Sequence, residues 1–120
     1  MKLYTMQLGQ WRKAKAAGIP LLDVTVKSGD ARLAPTWGLL AAYKAGEVNN
    51  EQYTVAFKET LRVRYKDDYA RWLEIANMES VALACYCKGG EFCHRLLLVD
   101  MLAGFCKQHQ IPFEYLGELQ

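Results

Sequence analysis

The chain has 120 residues, 52% of them hydrophobic and 23% charged, with four cysteines and a net charge of +2. That length carries one domain, residues 1–120, which can bury a core without disulfides or metals, and the composition excludes a disordered chain. No apolar run approaches the roughly 20 residues needed to cross a bilayer, and so small a net charge does not indicate nucleic acid as a partner.

The opening "MKLYTMQLGQWRKAKAAG" has no continuous apolar stretch of the kind that directs secretion. The expectation is a cytoplasmic protein whose cysteines are thiols. Within it "KLYTMQL" reads as a strand and "GQWRKAKAAG" as a short helix closed by glycine. "IPLLDVTVKSG" alternates Leu22, Val24 and Val26 with Asp23, Thr25 and Lys27, the period of a strand. Pro35 is placed to open a helix over "PTWGLLAAYKAG". In "NNEQYTVAFKETLRVRY", Tyr53, Phe57 and Leu61 fall four apart, an amphipathic helix capped by Asn49 or Asn50. "DDYARWLEIANM" repeats the pattern with Tyr69, Trp72, Leu73 and Ala76, led by two aspartates that suit a helix N-terminus.

"SVALACYCK" is the most apolar segment, and a continuous run of this kind fits the centre of a sheet covered on both faces, with the strand over residues 81–87. A helix follows from about Glu91 to Gln108, and "PFEYLGEL" supplies a last strand. This order predicts an α/β fold: a three-layer, Rossmann-like sandwich with a small, mostly parallel sheet of about four strands.

In such a sheet, ligands bind beyond the carboxyl ends of the strands, where loops enter helices. "ACYCKGGEFCHR" occupies that position. Gly89 and Gly90 allow close backbone approach, and the first helical turn offers N–H groups to an anion, with Arg95, Lys88 and Cys87 beside it. If the strand of "LLDVTVKSG" lies parallel and adjacent, Asp23, Lys27 and Ser28 open onto the same edge. Cys93 and Cys87 are candidate nucleophiles, since a thiol at a helix N-terminus near His94 and Arg95 is activated, and equally candidates for simple burial. Cys85 and Cys106 read as buried core residues, and His109 as a favourable charge near a helix C-terminus. No metal is expected: Cys85, Cys87, Cys93 and His94 do not have zinc-knuckle spacing. A phosphatase loop also fails, because Arg95 stands eight residues after Cys87 rather than six.

"ACYCKGGEFCHRLLLVDML", with "LLDVTVKSGD" and "LAPTW", resembles the family known as domain of unknown function 488, found in bacteria and phages. There a cysteine-bearing strand leads to an E…CHR element opening a helix, and an early strand ends in Asp-Val. The corresponding residues here are Cys85 or Cys87, Glu91, Cys93, His94, Arg95, Asp23 and Val24. "TVKSGD" stands where relatives often carry a basic, proline-containing segment, so the chain looks like a short branch. The resemblance implies a fold and a site but no established reaction.

The functional expectation is binding of a phosphate-bearing small molecule, a nucleotide or nucleoside derivative, at the Cys87–Arg95 loop, with no cofactor. If chemistry follows, Cys93 or Glu91 is the nucleophile or acid–base group and His94 its partner. The alternatives are a phage-type protein that sequesters a nucleotide signal without chemistry, and a protein-interaction module whose Cys/His/Arg cluster is structural.

Overall fold

The computed structural model describes residues 1–86 and 93–119. Four strands, β1 (Lys2–Gln7), β2 (Leu21–Asp23), β3 (Ser80–Cys85) and β4 (Glu114–Glu118), form one sheet in the order β2-β3-β1-β4. Every pairing is parallel. The helices are α1 (Trp11–Ala17), α2 (Trp37–Lys44), α3 (Asn50–Asp67), α4 (Tyr69–Ala76) and α5 (His94–Gln108). The fold is the Rossmann-like α/β sandwich that the element order predicts.

β3 lies inside the sheet and has two apolar faces. Val81, Leu83 and Cys85 belong to the large core with α3, α4 and α5, whereas Ala82 and Ala84 meet Met6 and Ala14 on the α1 side. Small alanines on that face let a seven-residue helix with one buried side chain cover it closely. The other face holds the bulk: Phe57, Leu61, Trp72, Ile75, Leu98 and Leu102 are fully buried there. Such burial is worth about 1.5–3 kcal/mol per large side chain, and it pins α3, α4 and α5 to the sheet.

Asn49 caps α3 in a reciprocal capping box with Gln52, and Tyr53, Phe57 and Leu61 face inward as their spacing requires. Thr36, one residue after Pro35, caps α2 by accepting from the Leu39 amide. Three details differ from the sequence reading. The "LLDVTVKSG" strand stops at Asp23, because the Asp23 carboxylate accepts from the Thr25 amide and the Ser28 hydroxyl and turns the chain. Only one of the "DD" pair leads α4: Asp67 ends α3, and Asp68 is the N-cap of α4, though its side chain makes no cap hydrogen bond. β3 ends at Cys85, so the strand expected over 81–87 is shorter by at least Tyr86, and Cys87 lies outside the described residues.

β4 has one irregularity with consequences for the site. Leu3 pairs with Tyr115 but Thr5 pairs with Glu118, so β4 carries one extra residue there, at Gly117 with φ of 86°. The bulge sets Glu118 opposite Thr5, on the sheet face that α5 covers. No helix among the described residues is long and apolar enough to cross a membrane.

Candidate functional site

The carboxyl ends of β2 and β3 lie side by side, with Asp23 in register with Ala84, and α5 starts just beyond them. Here a cavity of about 200 Å³ is lined by Thr25, Val26 and Lys27 after β2, Trp37, Leu40 and Lys44 on α2, Cys85 and Tyr86 at the end of β3, and His94. The position is the carboxyl edge of the parallel sheet, where such folds bind ligands; the loops after β2 and β3 both lead to helices on the same face, α2–α3 and α5, and the cavity lies beneath them.

The β2 loop that forms one wall is held from within. Ser28 donates to Asp23 Oδ2 at 2.6 Å, the Ser28 amide donates to Thr25 Oγ1 at 3.2 Å, and the Gly29 amide to the Thr25 carbonyl at 3.0 Å. Burial opposes the Asp23 charge, but the Ser28 hydroxyl and the Thr25 amide and hydroxyl prevail and hold its carboxyl below the ordinary carboxylate range. Gly29 is required for space: a Cβ there would stand 2.4–2.6 Å from backbone atoms of Asp23 and Thr25. Asp23 and Ser28, both candidate ligand contacts from sequence, therefore build the loop, and Lys27 lines the cavity.

The α5 wall carries the denser chemistry. Cys93 is the N-cap and His94 and Arg95 open the helix, which starts three residues later than the sequence reading's start near Glu91. His94 Nε2 lies 2.6 Å from the Val24 carbonyl oxygen, which can only accept, so Nε2 carries the hydrogen. In neutral imidazole that leaves the Nδ1 lone pair toward Cys93 Sγ, 3.7 Å away. Phe57 braces the ring edge-on at 5.7 Å.

Arg95 is 1% exposed. Its Nη1 donates to Cys85 Sγ at 2.8 Å and its Nη2 to Glu118 Oε1 at 2.5 Å. Burial alone would weaken the charge, but the hydrogen bonds to Cys85 and Glu118 and the negative potential of Cys85 and Cys93 outweigh it and keep the guanidinium above its ordinary pKa. A guanidinium donating to sulfur favours the thiolate, against the opposing effect of burial. Cys93 Sγ lies 2.8 Å from Cys85 Sγ. The described part of the site is thus two buried sulfurs, a buried arginine anchored by a strand carboxylate, and an imidazole of fixed orientation.

Cys87, Lys88, Gly89, Gly90 and Glu91 lie outside the described residues. Cys85 is buried, as its strand position suggested, yet it also faces the cavity and is the sulfur that Arg95 contacts. Sequence reasoning gave no part to Glu118, Lys44 or Trp37. Glu118 could have been suspected from the glycine before it, a bulge signal in a strand; Lys44 and Trp37 carry no local signal. Among the described residues, no three His, Cys, Asp or Glu side chains group as metal ligands.

Comparison with curated proteins and with solved structures finds no match. A family model does match: DUF488-N3a, described as the active DUF488-N3 subclade, over residues 11–104. That span holds Cys85, Cys93, His94 and Arg95, while β1 and the Glu118 strand fall outside it. As the match covers most of its length, the chain belongs to the DUF488 family.

Proposed function

We propose that this protein binds an anionic, phosphate-bearing small molecule, a nucleotide or nucleoside derivative, in the cavity at the ends of β2 and β3, with Cys85 as the thiol that faces it. The observation that carries the reading is the make-up of the cavity wall. Lys27 and Lys44 both line it, and neither is paired with a carboxylate among the described residues. Two lysines among the residues lining a strand-end crevice suit a phosphate. Trp37 is 62% exposed and Tyr86 57%, flat faces against which a base can lie. At about 200 Å³ the cavity is smaller than most ligand sites and fits the phosphate and sugar, leaving the base outside against Trp37.

Arg95 has a different part in this reading from the one its sequence position suggested. Its guanidinium points to Cys85 and Glu118, so it prepares the sulfur rather than gripping the ligand. Chemistry would then begin at Cys85, with Cys93 and His94 behind it. A reducing cytoplasm suits such thiols. A second reading, capture of a nucleotide without chemistry, uses the same cavity and is favoured by the internal engagement of Asp23, His94 and Arg95.

The test is a thermal-shift and calorimetric panel of nucleotides, nucleosides and inorganic phosphate on the full chain. A phosphate-bearing compound should stabilise the wild type, and Lys27→Ala or Lys44→Ala should each weaken it by about 1.5–3 kcal/mol, the usual worth of a hydrogen bond to a charged group. Cys85→Ser should keep binding and abolish turnover if there is chemistry. Failure of every phosphate compound to bind, or binding indifferent to both lysines, would sink the proposal.

A further inference from the structure

Cys85 and Cys93 sit on different elements, eight residues apart, yet their sulfurs are 2.8 Å from each other. That is closer than an ordinary non-bonded contact of roughly 3.5 Å. Both are buried, but only Cys85 lines the solvent-reached cavity. Arg95 Nη1 donates to Cys85 Sγ, and His94 Nδ1 stands 3.7 Å from Cys93 Sγ. The two thiols are therefore supported differently, one by a cation and the other by a base.

We infer that Cys85 and Cys93 form a peroxide-oxidisable pair, in which Cys85 reacts first with hydrogen peroxide or a small organic hydroperoxide and Cys93 closes the disulfide. The Cys85 thiolate attacks one peroxide oxygen; the O–O bond breaks, and the other oxygen leaves as hydroxide or alkoxide and takes up a proton. Cys85 is then a sulfenic acid. The Cys93 sulfur displaces hydroxide from the Cys85 sulfur: the S–S bond forms and the S–O bond breaks. His94 Nδ1 takes the Cys93 proton and returns it to the departing hydroxide, which leaves as water. The peroxide gains two electrons and the thiol pair loses two, so a dithiol reductant reverses the change. Oxidation removes the negative sulfur beside Arg95 and takes Cys85 off the cavity wall as a nucleophile. This inference rests on the sulfur geometry and stands whether or not a nucleotide binds.

The full chain is treated with equimolar hydrogen peroxide, remaining thiols are alkylated, and the protein is digested with trypsin. Cleavage after Arg71, Lys88 and Arg95 puts Cys85 and Cys93 on separate peptides, 72–88 and 89–95. Because Cys87 shares the first peptide, Cys87→Ser is run beside the wild type. The expected result is a linked pair of peptides in both proteins, lost on reduction, and a sulfenic acid at Cys85 trapped by dimedone in Cys93→Ser. A cross-link that disappears in Cys87→Ser, or full alkylation of Cys85 and Cys93 in peroxide-treated wild type, would overturn the inference; fragmentation of the wild-type linked peptides, which shows whether Cys85 or Cys87 carries the link, decides even if a variant fails to fold.

Discussion

Replacing Arg95 with methionine keeps most of its volume and removes its charge, so the loss reports on the ion pair rather than on a hole. The guanidinium is 1% exposed and bridges Cys85 Sγ and Glu118 Oε1, while the Glu118 side chain keeps 28% of its exposure. Breaking a buried pair by removing one partner costs about 3–5 kcal/mol, most of it the charge left unpaired. Cys85 can take up a proton and so strands nothing, and Glu118 can partly rehydrate, which puts the cost near the low end, about 3 kcal/mol. For a domain of this size that is a fall in Tm of about 12 °C, at roughly 4 °C per kcal/mol. Adding Glu118→Gln removes the carboxylate that faced Arg95, and the double variant should recover about 1–2 kcal/mol, a coupling typical of residues in direct contact. Urea titrations of the wild type, both singles and the double measure this directly. An Arg95→Met protein within about 1 kcal/mol of wild type, or a double variant showing no coupling, would mean that Arg95 is not held by Glu118 and that its charge faces something else.

Gly29→Ala should cost about 1–3 kcal/mol or more, because its Cβ must displace backbone of Asp23 and Thr25 at 2.4–2.6 Å; a urea midpoint equal to wild type would contradict that packing. Burial works against the Asp30 charge, but hydrogen bonds from Arg32 and Arg71 prevail and hold its folded-state pKa below the ordinary value of about 3.9. The stability it contributes is therefore complete above that value and lost as the pH falls through the lower folded value. Asp30→Asn should cost stability at neutral pH and flatten the acid limb of the urea stability curve below about pH 4; parallel acid limbs for variant and wild type would refute this.

The architecture was legible in the sequence because it rests on local patterns. Four-residue spacing in α3, the Asn49 cap and the two-faced apolar run of β3 each give one solution for burying the chain, and the parallel sheet follows from their order. A crevice at the strand ends was legible for the same reason, while most of the Cys87–Arg95 loop expected to bind there lies outside the described residues. The roles within the site were not. The turn at Asp23 interrupts an alternation that reads as a strand, because one carboxylate captures an amide two residues on and a hydroxyl five residues on. Cys85 looks like core from its neighbours; only the docking of α5 brings Arg95 and Cys93 to its sulfur. Glu118 reaches Arg95 from 23 residues away because β4 bulges at Gly117 and turns it to the α5 face. Periodicity reports which face a residue takes within its own element, and the charge, thiol and carboxylate that meet at this site come from three different elements.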